Sequence, residues 1–219
     1  MIITIDGPAG SGKSTAACGL AARLGFDYLD TGAMFRAVGL ALLERGIDPA
    51  DPAAVEPVLA GIHLEMPAGR VLLDGRDVTA AVRAPAVAQA ASKVAVVPAV
   101  RRFLAAEQRR IAEGREIVCE GRDQGTAVFP DAPCKFFITA DPRARAARRF
   151  RELLDKGEAV TLDEVLAAQV ERDTRDAERE DAPMRAAADA VVVDTTDLSA
   201  DDVLARLEEV VRRCSTVRS

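Results

Sequence analysis

The most constraining feature of the sequence is a glycine-rich segment near its start. Residues 2–5, Ile-Ile-Thr-Ile, form a short apolar run rich in β-branched residues, which predicts a buried parallel strand. The run leads into residues 7–14, Gly-Pro-Ala-Gly-Ser-Gly-Lys-Ser, which match the pattern G-x-x-x-x-G-K-[ST]. A predicted helix follows, with Ala17, Leu20 and Leu24 on one face. A strand, a glycine-rich loop and a helix in this order predict a phosphate-binding loop (P-loop).

The residue types of this segment suit phosphate chemistry. Glycine lets the backbone curve closely around a phosphate chain and point N–H groups at it, and the helix N-terminus adds partial positive charge. We expect Lys13 to reach the β- and γ-phosphates and the hydroxyl of Ser14 to ligate Mg²⁺. The predicted nucleotide-binding residues are Gly7, Pro8, Ala9, Gly10, Ser11, Gly12, Lys13, Ser14 and Thr15.

Composition limits the class of protein. The 219 residues allow one large domain or two small ones, and the 49% apolar content supplies a sizeable core. A net charge of −6 argues against extensive nucleic-acid binding. Arginine outnumbers lysine by 25 to 4, which reflects either compositional bias or the bidentate grip of guanidinium on phosphate. No apolar run approaches a membrane span, and the chain opens on a core strand without a signal peptide, so we expect a cytoplasmic protein.

Residue types that are rare or absent exclude several functions. The chain has no asparagine, so the guanine-reading N-K-x-D motif of switch GTPases cannot form. Cysteines at 18, 119, 134 and 214 form no C-x-x-C pair, and His63 is the only histidine. The sequence therefore argues against a zinc site built from cysteine and histidine, and against a Ser-His-Asp triad.

The order of predicted elements indicates an α/β fold of the P-loop NTPase type, a parallel sheet with helices on both faces. One segment departs from this pattern, because residues 62–66 and 70–74 alternate as a β-hairpin does, with a candidate third strand at 77–79. We interpret it as a small antiparallel β insert. Later buried strands are predicted at 116–120, 134–139 and 190–194, within a single domain that spans residues 1–219.

Three groups of polar residues suggest a second phosphate-bearing substrate. The first two follow predicted strands, where ligands of parallel sheets bind. They are Asp30-Thr31-Gly32 with Arg36, and Gly121-Arg122-Asp123. The third group is predicted on one face of a single helix and consists of Arg172, Asp176 and Arg179. Taken singly, Arg172 and Asp176 could form an ordinary i,i+4 ion pair, and Asp123 could cap a turn.

The order and spacing of these pieces resemble the bacterial cytidylate kinases, the CMP kinases of the nucleoside monophosphate kinase group. The resemblance covers residues 2 to about 211. Beyond the P-loop and the hairpin insert, it rests on four segments: LDTGAMFRA at 29–37, VAQAASKVAVVPAVR at 87–101, EGRDQGTAVFPDA at 120–132 and ERDTRDAER at 171–179. Glu120 and Gln124 depart from the commoner family pattern, which has Asp and Met there, and Thr31 often stands as Ser.

The resemblance implies roles for several residues of these segments. The phosphate of CMP would be held by Thr31, Arg36, Arg122 and Arg179, and cytosine would be read by Ser92, Arg101 and Asp123. The ribose hydroxyls would contact Arg172 and Asp176. A subdomain that binds the nucleoside monophosphate (NMP) is expected at about 31–93. The basic helix around Arg148 and Arg149, with the loop to residue 160, would form a helical lid over ATP at about 148–160. The expected catalytic residues are Lys13, Arg122, Arg148, Arg149 and Arg179.

The resulting hypothesis is phosphoryl transfer from ATP, with Mg²⁺, to CMP or dCMP. Another monophosphate such as UMP, or a non-catalytic nucleotide-sensing P-loop module, stays open as an alternative. We expect small-molecule substrates only, no nucleic-acid or membrane partner, and a monomer.

Overall fold

The computed structural model describes residues 1–67, 69–155 and 157–216. Ala68, in the predicted hairpin turn, and Lys156, in the predicted lid at about 148–160, lie outside the described residues. The chain divides into two compact units. One unit is formed by Met1–Phe26 with Val118–Ser219, and the other by Asp27–Ile117. The predicted NMP-binding range 31–93 lies wholly within the second unit and remains a prediction.

The described residues form eight strands and eight α-helices. The strands are β1 (Ile2–Asp6), β2 (Asp27–Asp30), β3 (Leu64–Glu65), β4 (Leu72–Leu73), β5 (Arg76–Asp77), β6 (Ile117–Gly121), β7 (Cys134–Thr139) and β8 (Val191–Asp194). The helices are α1 (Lys13–Leu24), α2 (Thr31–Glu44), α3 (Pro52–Leu59), α4 (Pro85–Val94), α5 (Pro98–Ala112), α6 (Pro142–Asp155), α7 (Leu162–Glu178) and α8 (Ala200–Thr216). None of these described helices is long and apolar enough to cross a bilayer.

The larger sheet has the strand order β2-β6-β1-β7-β8. Both β1 with β7 and β7 with β8 pair in parallel, and the register sets Ile3 opposite Cys134. Ile3 and Ile5 on one face of β1 and Thr4 on the other are all completely buried, so the strand is covered on both faces, as strands of parallel sheets are. The structure confirms the predicted α/β fold with a parallel sheet and a separate antiparallel insert.

The antiparallel insert is smaller than predicted. Its three strands, β3, β4 and β5, have two residues each, and β4 pairs with both neighbours. The third strand lies at Arg76–Asp77, so the predicted position of 77–79 is wrong. Asp74 and Gly75 both take positive φ and reverse the chain at once after β4. The Asp77 carboxylate then accepts the N–H of Thr79 at 2.9 Å, and this side-chain turn ends the strand.

Helix α7 carries residues of the predicted site. A capping box begins the helix, because the side chains of Thr161 and Glu164 each accept a hydrogen bond from the other's backbone N–H group. The helix ends at Glu178, so the prediction that Arg179 lies on it is wrong by one residue. The backbone at Arg179 is extended, and its Nε donates to the Ala182 carbonyl at 2.7 Å as the chain turns back.

Candidate active site

The P-loop lies between β1 and α1, as the sequence predicts. Gly10 and Gly12 adopt φ of 74° and 85°, which side chains other than glycine rarely accept. At Gly7 a Cβ atom would lie 2.0 Å from the carbonyl oxygen of Ile138 on β7. The hydroxyl of Ser11 is fully buried and lacks a hydrogen-bond partner among the described residues. A loop with this geometry and an unsatisfied hydroxyl fits a phosphate chain.

Three side chains meet where the P-loop enters α1. Lys13 is buried, and its Nζ donates to the Pro8 carbonyl at 3.2 Å and lies 3.6 Å from Glu120 Oε1. The Ser14 hydroxyl donates to the same Glu120 oxygen at 2.8 Å. Glu120 comes from β6, and the sequence singled it out only as a departure from the family pattern. An acidic residue near the end of a fully buried strand was the signal that could have marked it as a site residue.

Asp6 is a second site residue that sequence reasoning missed. It ends β1, and its carboxylate accepts the backbone N–H groups of Gln124 and Gly125, each at 2.8 Å. Burial raises the pKa of Asp6 to about 7, and these two hydrogen bonds offset only part of that effect. The carboxyl group ties the turn after β6 to the strand that leads into the P-loop. It thereby fixes the position of the predicted substrate residues Arg122 and Asp123.

The predicted phosphate residues of the first unit form a buried cluster of alternating charge. Arg122 Nε donates to Asp176 Oδ2 at 3.1 Å. Arg179 lies 3.8 Å from Asp176 and 3.6 Å from Asp123, and the Arg179 and Asp123 side chains are 6% and 8% exposed. Arg122 follows β6 and Arg179 follows α7, so these two arginines are far apart in the sequence, yet both lie next to Asp176. Arg172 is exposed on α7.

The two predicted lid arginines differ in their surroundings. Arg148 donates to the Thr195 hydroxyl at 3.1 Å and to the Thr196 carbonyl at 3.2 Å. Thr195 in turn donates to the Ser11 carbonyl of the P-loop at 2.9 Å, so Arg148 is fixed at the edge of the loop. Arg149 is 42% exposed and pairs with Glu152 of its own helix.

The remaining predicted substrate residues lie in the second unit. Thr31 is buried at the first position of α2, which Asp30 caps by accepting the Ala33 N–H at 2.8 Å. Arg36 Nη2 donates to Asp30 at 2.9 Å, while its buried Nε has no partner among the described residues. Half-buried Ser92 lies on α4, and buried Arg101 lies on α5. These positions leave the predicted roles of the four residues as predictions.

Fold and site together define a P-loop protein with a parallel α/β sheet. Among solved structures, a shikimate kinase from Bacteroides thetaiotaomicron matches 97% of this chain and 98% of its own, with a TM-score of 0.53 and 13% identity. An uncharacterized protein from Eubacterium ventriosum matches 98% of both chains, with a TM-score of 0.51 and 14% identity. At this identity the likeness supports the fold alone.

Sequence relatives specify the family. The family model for cytidylate kinase matches residues 3–213. The cytidylate kinase of Rhodopirellula baltica is 46% identical over 98% of this chain and 93% of its own length. The cytidylate kinase of Mycobacterium leprae is 45% identical over 98% of this chain and 97% of its own. The chain belongs to the cytidylate kinase family and is therefore a nucleoside monophosphate kinase.

Proposed function

We propose that the chain transfers the γ-phosphoryl group of ATP, with Mg²⁺, to CMP or dCMP, giving ADP and CDP or dCDP. The observation that carries the proposal is the arrangement of polar residues in the first unit of a chain that belongs to the cytidylate kinase family. Lys13, Ser14 and Glu120 meet at the P-loop, and Arg122, Asp123, Asp176 and Arg179 form one cluster in the same unit.

On the donor side, the P-loop N–H groups and Lys13 bind the β- and γ-phosphates of ATP. The Ser14 hydroxyl and the Glu120 carboxylate are oxygen donors 2.8 Å apart, which suits Mg²⁺ because this hard cation prefers oxygen ligands. These two residues would hold the ion together with phosphate oxygens and water. When bound, Mg²⁺ neutralises charge that develops on the phosphates. Arg148, fixed at the edge of the P-loop, supplies a further cation.

On the acceptor side, Arg122 and Arg179 bind the phosphate of CMP and place its oxygen in line with the γ-phosphoryl group. Asp176 orients both guanidinium groups, since it contacts each of them. A phosphate oxygen is already nucleophilic at neutral pH, so the reaction needs positioning and charge cancellation rather than a general base. Arg172 with Asp176 would contact the ribose, and Thr31 and Arg36 would add phosphate contacts.

One experiment tests the reaction directly. ADP release from ATP is measured with CMP, dCMP, UMP, AMP or dTMP as acceptor, and we expect CMP and dCMP to support the fastest turnover. Faster ADP release with UMP than with CMP would show that UMP is the acceptor in place of CMP. Binding of ATP without acceptor-dependent ADP release would indicate a nucleotide sensor. The monomeric state and the cytoplasmic location remain predictions from the sequence.

We predict that Glu120→Gln raises the Mg²⁺ concentration needed for half-maximal rate. An amide keeps the size of the side chain and an acceptor for Ser14, but it loses the negative charge that attracts the ion. Loss of such a group typically costs roughly 10–100-fold in metal affinity. The rate is followed against free Mg²⁺ at saturating ATP and CMP. Exposed Glu116→Gln is the matched control, and an unchanged Mg²⁺ requirement in Glu120→Gln would remove Glu120 from the metal site.

We further predict that the segments at about 31–93 and 148–160 close over the substrates. Closure would exclude water, so that CMP rather than water accepts the phosphoryl group. Hydrogen exchange is measured with and without a bisubstrate analogue that joins adenosine and cytidine through phosphates. Both segments should gain protection, and α8 serves as an internal reference. Equal exchange of both segments in the two states would argue against closure.

A further inference from the structure

A buried ion pair outside the predicted site holds the middle of the P-loop. Arg145 on α6 and Asp173 on α7 pair through Nη1 and Oδ2, and their side chains are 7% and 15% exposed. Asp173 Oδ1 also accepts the backbone N–H of Ala9 at 3.2 Å. Arg145 Nη1 also donates to the carbonyl of Ala9 at 2.9 Å. One ion pair therefore binds both the N–H and the C=O of a P-loop residue.

The same two helices pack against the next residue of the loop. A Cβ atom at Gly10 would lie 2.8 Å from Gln169 Nε2 on α7 and 3.2 Å from the carbonyl oxygen of Arg145 on α6. Arg145 is fixed in turn, because its Nε donates to the Ala140 carbonyl at 3.1 Å just before α6 begins. The course of the P-loop at Ala9 and Gly10 is thus set by α6 and α7 as well as by β1.

We propose that Arg145 and Asp173 are positioning residues that hold the P-loop backbone in the shape that binds the ATP phosphates. Several N–H groups of the loop must point at one anion, so rotation of either peptide group at Ala9 would misdirect its neighbours. The carboxylate restrains the Pro8–Ala9 peptide and the guanidinium restrains the Ala9–Gly10 peptide, and both restraints are strong because both hydrogen bonds are charge-assisted. The proposal rests on the proposed function only in taking ATP as the ligand of this loop.

The test compares the affinities of the two substrates. Dissociation constants for ATP with Mg²⁺, and separately for CMP, are measured by calorimetry on the full chain and on Asp173→Ala. We expect ATP affinity to fall roughly 10-fold or more, since small misplacement of binding groups is costly, while CMP affinity stays within about 2-fold of wild type on the same reasoning. Asp173→Asn keeps an acceptor for the Ala9 N–H and should recover part of the ATP affinity. Glu171→Ala, which removes an exposed ion-paired acid of the same helix, is the control.

A double variant separates positioning from folding. Asp173→Ala alone leaves the Arg145 charge buried without its carboxylate, which can destabilise the fold. Arg145→Ala/Asp173→Ala removes both charges, so its Tm should lie closer to wild type while its ATP affinity stays as low as that of the single variant. Wild-type ATP affinity in the double variant would overturn the proposal. Equal losses for ATP and CMP in Asp173→Ala, with a lowered Tm, would also overturn it and leave only a structural role.

The two proposals can fail independently. If the wild-type chain binds ATP but does not phosphorylate CMP, the proposed function fails, and the comparison of ATP affinities still decides the role of the pair. If turnover of CMP is confirmed and the variants bind ATP as wild type does, only the positioning role fails.

Discussion

Lys13→Ala is expected to lower kcat by roughly 10²–10³-fold, the typical effect of removing one preorganised transition-state contact. Lys13 is the P-loop cation for the β- and γ-phosphates, and the structure buries it within 3.6 Å of Glu120. Its Nζ already contacts the Pro8 carbonyl of the loop, so the ammonium group is held at the site before substrate binds. Little reorganisation is then needed when charge develops on the transferring group.

The measurement is kcat at saturating ATP and CMP, with Tm and circular dichroism to establish folding. Removal of Lys13 leaves the buried Glu120 carboxylate without this cation, so Lys13→Met, which retains more of the side-chain volume, is measured alongside. Arg213→Ala is the control because it removes a side chain that is 74% exposed on α8. A folded Lys13 variant that retains more than half of the wild-type kcat would show that the lysine is dispensable.

The second large effect concerns the choice of base. Asp123→Ala and Arg101→Ala should each reduce kcat/KM for CMP far more than for UMP. Cytosine offers an amino donor at position 4 and acceptors at N3 and O2, whereas uracil has an acceptor at 4 and a donor at N3. A carboxylate only accepts and a guanidinium only donates, so Asp123 and Arg101 suit cytosine. Sites built on such pairing discriminate by roughly 10⁴-fold or better.

The ratio of kcat/KM for CMP to that for UMP is the decisive readout. Asp123 also lies 3.6 Å from Arg179, so its loss can lower activity on every acceptor, but that effect cancels in the ratio. Asp123→Asn adds a sharper test, because its amide can donate to O4 of uracil and should reduce the ratio further. Asp131→Asn, at an exposed position of the following loop, is the matched control. An unchanged ratio in both Asp123→Ala and Arg101→Ala would falsify their role in reading the base.

Local features of the fold followed from the sequence. The buried strand β1, and the glycine-rich loop and helix that follow it, depend on neighbouring residues, so their patterns predicted them correctly. The sequence correctly predicted an antiparallel β insert, but it predicted longer strands than the two-residue strands that form. Its strands are cut short by the turn at Asp74 and Gly75 and by the side-chain turn of Asp77, which compete with an alternation that by itself suggests longer strands.

The sequence by itself determined the P-loop, the class of fold and the family, because these depend on residue types at fixed short spacings. Only the tertiary structure showed that Glu120 contacts Ser14 and that Asp173 contacts Ala9, across separations of 106 and 164 residues. It also distinguished Arg148, at the edge of the P-loop, from exposed Arg149. Such contacts depend on how strands order within the sheet and how α6 and α7 pack on the loop. No local spacing encodes that packing, since it is decided by burial of the whole core.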